Sequence, residues 1–116
     1  MNIMTIDGFQ ATICFVPDMK MFRGEFINLS GGADFYATDV QGLEREGKIS
    51  LDIYLDACKR NGISPRKIFS GNFSLRLDPE VHEAATIAAA SKGVSLNHWA
   101  AQSIKQAALA SNLLVA

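Results

Sequence analysis

The stretch Gly71-Asn72-Phe73-Ser74-Leu75-Arg76-Leu77-Asp78-Pro79-Glu80 constrains this chain more than any other. Phe73, Leu75 and Leu77 alternate with Asn72, Ser74 and Arg76, the two-residue period of a strand with one buried face. The pattern then stops abruptly. Asp78 is a favourable helix cap, Pro79 suits the first helical position, and Glu80 places negative charge in the first turn. A second break follows at Lys92-Gly93-Val94-Ser95, where Gly93 fits the left-handed position at a helix end and Ser95 caps a new helix. One short strand and two helices bury too little to hold a core. Such a unit is expected to pair its strand with the same strand of a second chain. An ordinary edge strand with its polar face in water is the plainer alternative.

Residues 72 to about 110 resemble the ribbon-helix-helix (MetJ/Arc-like) repressors, whose two-stranded antiparallel ribbon lies in the DNA major groove. By alternation, the outward ribbon positions that read bases in that family fall on Asn72, Ser74 and Arg76. Arginine bonds bidentately to guanine, asparagine to adenine, and serine to either. Ser95 and Asn97 open the second helix, where free N–H groups and the helix dipole favour a phosphate. Phe73, Leu75, Leu77 and Trp99 are the expected dimer core. Around them Val81, Ala84, Ala85, Ala88 and Ala89, then Leu96, Ala100, Ile104 and Ala107, recur at helical spacing, and the small ones permit close approach of helices.

Charge sets a condition on this reading. The chain carries a net charge of −1, and within 71–116 Arg76, Lys92 and Lys105 only balance Asp78, Glu80 and Glu83. A monomer would release few counterions on DNA, whereas a dimer doubles the contacts and a larger assembly engages two half-sites together. Lys59, Arg60, Arg66 and Lys67 either add positive charge beside the ribbon or form a solvated helix end. At 116 residues, 48% hydrophobic and 20% charged, the chain reads as one ordinary globular domain or two very small ones. With no basic-then-apolar leader and no bilayer-length apolar run, a cytoplasmic, membrane-free protein is expected. Cys14 and Cys58 are widely separated and are read as reduced, buried thiols.

Upstream, Phe9, Ala11, Ile13 and Phe15 alternate with polar neighbours as a half-buried strand. Pro17-Asp18-Met19-Lys20 forms a turn, and Met21–Leu29 returns antiparallel with Phe22, Gly24 and Phe26 on one face. The phase slips at Ile27 and Leu29, as at a bulge. Ser30-Gly31-Gly32 turns again into a short strand at Phe35-Tyr36-Ala37. Thr38-Asp39-Val40-Gln41 fits a capping box with Thr38 as cap. The helix it starts carries Val40, Leu43, Gly47, Leu51, Tyr54, Leu55 and Cys58 as its apolar stripe, Gly47 marking a close approach to the sheet. Asn61-Gly62 ends that helix and Pro65 keeps it from resuming. Residues 110–116 are expected to extend the last helix or fray.

The Asp7–Phe15 hairpin, Phe22-Arg23-Gly24, the helix ending in Asp52, Tyr54, Leu55 and Cys58, then Pro65, Lys67 and Ser70–Leu77, together look like the HicB family of antitoxins. With Leu75-Arg76-Leu77, His82 and Ser95-Leu96-Asn97, the chain is similar to the branch of that family whose DNA-binding part is ribbon-helix-helix. The resemblance implies an α+β chain with two domains. Residues 1–66 form a small β-β-β-α, partly RNase H-like domain that blocks a HicA-type mRNA-cleaving toxin. Residues 67–116 form a ribbon-helix-helix that dimerises and represses the operon on operator DNA. The sequence departs from the family at Asn28–Gly32, where members carry more acidic residues. A stand-alone ribbon-helix-helix regulator without a toxin is the alternative.

Enzyme chemistry finds little support. A two-metal nuclease needs carboxylates that converge on the sheet, whereas Asp7, Asp18, Glu25, Asp34 and Asp39 scatter over turns, a strand and a cap. His82 and His98 each fall in a first helical turn with no companion at metal spacing. No catalytic residue, metal or cofactor is expected.

Overall fold

A computed structural model describes residues 2–114. The chain is α+β: a four-stranded antiparallel sheet and three α-helices. It divides into two compact units, Met1–Gly71 and Asn72–Ala116. The strands are β1 (Asn2–Ile6), β2 (Phe9–Val16), β3 (Met21–Phe26) and β4 (Asp34–Ala37), and they lie side by side in chain order. The first unit is thus β-β-β-β-α, one strand more than expected. β1 pairs with β2 from Asn2↔Ile13 to Ile6↔Phe9 across the two-residue loop Asp7-Gly8. Both loop residues have positive φ, 49° and 81°, as the tightest hairpin turns require, and Asp-Gly is a preferred sequence for it.

β3 ends at Phe26, three residues before the expected Leu29. Asn28 takes a left-handed φ of 60° and turns the chain out of the ladder. Leu29 is buried and forms an isolated bridge with Arg66. Helix α1 (Val40–Asn61) crosses one face of the sheet. Its cap is Asp39 and not Thr38: the Asp39 carboxylate accepts a hydrogen bond from the Gly42 N–H at 2.6 Å, satisfying a backbone donor left open at the helix start. Gly62, at φ 64°, closes the other end. Leu43, Gly47, Leu51 and Cys58 face inward, but Val40 is exposed.

The first unit's core joins Ile6, Ala11, Phe26, Leu29, Phe35, Ala37, Leu43 and Leu51. Its centre is the Phe35 ring, which occupies the space left by two glycines. A methyl on Gly24 would run into that ring, and one on Gly47 would meet both the ring and Ile6. The helix can approach the sheet this closely only because those side chains are missing. Tyr54 ties the loop after β3 to the helix: its hydroxyl accepts from Gly31 N at 2.7 Å and is hydrogen-bonded to Ser30 Oγ at 2.7 Å. The residues after α1 also belong here. Ser30 N donates to Pro65 O and Lys67 N to Asn28 O, while the Arg66 guanidinium lies 3.8 Å from the Phe9 ring centre and donates to Gly8 O.

In the second unit, α2 (Pro79–Ser91) and α3 (Leu96–Ala110) pack together. Lys92 caps α2 and Gly93 follows at φ 69°. α3 ends at Ala110, with Ser111 as its cap and Asn112 left-handed at φ 60°. Of the tail expected to extend it, Val115 and Ala116 lie outside the described residues. Among the described residues no helix is long and apolar enough to cross a membrane.

Candidate nucleic-acid interface

Residues 72–78 run without helix or ladder and are exposed throughout. The strand read from the alternation is not formed among the described residues. Asp78 is the N-cap of α2 at φ −62°, ψ 144°, and Pro79 follows at the first helical position. The cap works through backbone alone: Asp78 O accepts from Val81 N and His82 N, and its carboxylate makes no capping bond.

The alternation nonetheless has a spatial counterpart. Phe73, Leu75 and Leu77 line a concavity of ≈730 Å3 together with Val81, Ala84, Ala85, Ala88, Leu96, Trp99, Ala100 and Ile104. All four residues of the expected dimer core therefore meet on one surface, while Asn72, Ser74 and Arg76 are not part of its lining. The surface is open: Phe73 is 71% exposed, Leu75 57% and Leu77 43%. Beneath it, the buried apolar side chains among the described residues of the second unit are Ala85 and Ala89, and α3 contributes none. Two alanine side chains are no core. At about 1.5–3 kcal/mol for burying each Val, Leu, Ile, Phe or Met, most of what this unit has to gain from the hydrophobic effect remains unspent in a single chain.

The expected phosphate contacts sit at the start of α3. Ser95 Oγ accepts from His98 N at 3.0 Å, so its lone pair caps the helix while its O–H proton remains to donate. Asn97 reaches the rim of the apolar concavity. The basic group of the first unit is more engaged than the sequence indicates. Arg60 pairs with Asp56 at 3.1 Å, and Arg66 is committed to Phe9 and Gly8. Lys67 lies 5.5 Å from the Phe69 ring centre.

Four of the five carboxylates considered for metal chemistry are tied to structural partners. Asp7 holds Lys48 at 2.8 Å. Glu25 and Asp34 both hold Arg23, at 3.0 and 3.2 Å, and Asp39 caps α1. The Arg23 pKa is raised, first by the Asp34 hydrogen bond and then by the charge of Glu25; that of Lys48 is raised first by its bond to Asp7, then by Asp52. Among the described residues no three His, Cys, Asp or Glu side chains gather as a metal site. Cys58 is buried, but Cys14 is exposed, against expectation, because its side of β2 faces away from α1. Sequence reasoning missed the Arg66 clamp and the Tyr54 tie, which join positions too far apart in sequence for any local pattern to register.

The HicB family model matches residues 54–104, from the second half of α1 to Ile104 in α3. No curated protein and no solved structure matches the chain significantly.

Proposed function

Because residues 54–104 are HicB-family sequence, we propose that this protein is the antitoxin of a HicA-type mRNA-cleaving toxin and a repressor of the operon encoding both. It acts by binding and not by catalysis. The first unit binds the toxin. The second dimerises through Phe73, Leu75, Leu77 and Trp99, pairing residues 72–78 of two chains into a ribbon. Asn72, Ser74 and Arg76 of each chain then face the major groove, and Ser95 and Asn97 meet phosphates.

The observation that carries this reading is the uncovered apolar surface of the second unit, which lies in the family-matched segment and has the alternation of a strand without a partner. Pairing two copies gives the extended backbone its hydrogen bonds and the apolar side chains their core in one step. The family match leaves the β1–β4 sheet outside, and this favours, as second reading, a regulator without a toxin whose sheet serves oligomerisation or ligand sensing. Co-expression with the product of an adjacent short reading frame, a basic protein of double-stranded-RNA-binding type, separates the two. The antitoxin reading expects a stable complex and relief of growth arrest. Arrest that persists at equal expression, with no complex recovered, contradicts it.

A further inference from the structure

The first unit's sheet is left uncovered at one corner. Helix α1 starts beside Ala37 at the end of β4, where a methyl on Gly42 would meet the Ala37 side chain. The ladder register runs from Ala37 to Phe22 of β3 and on to Phe15 of β2, all on the side of the sheet that α1 packs against. Phe15 and Phe22 meet edge to face, with ring centres 5.5 Å apart. Phe22 is partly buried against the core, but Phe15 is 54% exposed. Val40, which begins the stripe that continues inward in Leu43, Gly47 and Leu51, is 62% exposed. Met19, in the turn joining β2 to β3, is 51% exposed. An exposed apolar cluster of this kind marks an interaction surface, and aromatic and methionine side chains are enriched at interface centres.

The charges beside this corner select the partner. Asp18 lies in the β2–β3 turn next to Met19, and Glu44 lies one helical turn after Val40. Neither side chain makes an ion pair or hydrogen bond to the described residues. Every other carboxylate of the described first unit is held, by Arg23, Arg45, Lys48 or Arg60 in ion pairs or, for Asp39, by the α1 cap. The two uncommitted carboxylates of the unit thus both flank its exposed aromatic corner. Lys20 shares the turn with Asp18, and Arg45 is taken by Glu46, so with Asp39 the rim remains net negative.

We propose that this corner docks a partner protein whose contact surface carries cationic side chains around an apolar centre. The inference rests on the antitoxin reading, in which that partner is the toxin. A protein that holds RNA presents cations to its phosphates, and a basic surface is what an acid-rimmed apolar site fits. A second copy of the chain fits it poorly, because a two-fold axis through the corner sets one acidic rim against another. Phe15 then sets how long the complex lasts, while Asp18 and Glu44 set how fast it forms and how salt weakens it.

The test measures association and dissociation of the full chain with the product of the adjacent short reading frame, at two salt concentrations. Phe15→Ala is expected to weaken the complex roughly thirtyfold, the scale of an interface hot spot, mainly through faster dissociation. Val40→Ser repeats the test without touching an aromatic contact, and a loss of affinity is expected there too. Asp18→Asn combined with Glu44→Gln should slow association and flatten its salt dependence, leaving dissociation nearly unchanged. Ile53→Ala, 65% exposed on the outer side of α1, should change nothing. Tight wild-type binding that survives both Phe15→Ala and Val40→Ser, or that Ile53→Ala weakens equally, overturns the proposal and leaves the antitoxin reading standing. An unchanged salt dependence in the doubly neutralised variant refutes the basic character of the partner surface. Absence of any complex with wild type refutes the antitoxin reading and this occupant with it. If Phe15→Ala instead breaks up an assembly of the protein alone in sedimentation, a second copy covers the corner and the proposal fails.

Discussion

Replacing Phe73 by alanine separates a side chain that packs within its own chain from one that awaits a partner. Phe73 is 71% exposed, so its removal from an isolated subunit should cost well under about 1 kcal/mol, far below the ~3–5 kcal/mol of a buried phenylalanine. In the proposed dimer the same side chain is covered. A phenylalanine side chain presents roughly 200 Å2, leaving about 140 Å2 for a partner to cover. At about 25 cal/mol per Å2 this amounts to about 3.5 kcal/mol per subunit, doubled by symmetry. Alanine retains a methyl group and the neighbours relax, so the expected loss is about 4–6 kcal/mol per dimer. The dimer Kd of Phe73→Ala should then rise by roughly three to four powers of ten. Sedimentation over a concentration series measures this directly. A Kd within threefold of wild type, with the helices intact, would show that the 73–77 face is not the dimer core.

Two further substitutions test the first unit. Gly24→Ala forces a methyl into the Phe35 ring and should cost about 2 kcal/mol, a drop of roughly 10 °C in the thermal midpoint of that unit; a change under about 2 °C would mean that the ring has room to move. Tyr54→Phe removes the acceptor for Gly31 N and the partner of Ser30 Oγ. It should lower stability by about 1–2 kcal/mol and speed hydrogen exchange at the Gly31 amide, with the proposed dimerisation of the second unit unaffected; undiminished protection at Gly31 would contradict the tie.

What could be read from the sequence was local. The Phe73–Leu77 alternation, the Asp78-Pro79 helix start and the stop at Gly62 each express constraints a few residues long, and each names which way a side chain faces or where a helix must begin or end. Gly47 as a close approach was legible for the same reason, since a glycine within a helix stripe demands an explanation. The misses have two causes. β1 is hard to read although Asp7-Gly8 marks its hairpin, because a short strand before that turn carries no long alternation of its own. Arg66 with Phe9, Tyr54 with Gly31, and the Phe35 ring between Gly24 and Gly47 unite residues brought near only by the completed fold. The 72–77 stretch is a separate case: its alternation is visible in the sequence, and in the proposed ribbon its ladder would come from a second chain.

The most direct test of the account is a binding titration of the purified protein on a duplex from upstream of its own gene, with wild type beside Arg76→Ala at two salt concentrations. The account predicts specific, salt-dependent binding by wild type. Arg76→Ala should lose about 1–3 kcal/mol of it and with it discrimination against a scrambled duplex, while remaining a folded dimer. Tight, sequence-selective binding that survives Arg76→Ala would contradict the assignment of residues 72–76 as the surface that reads DNA.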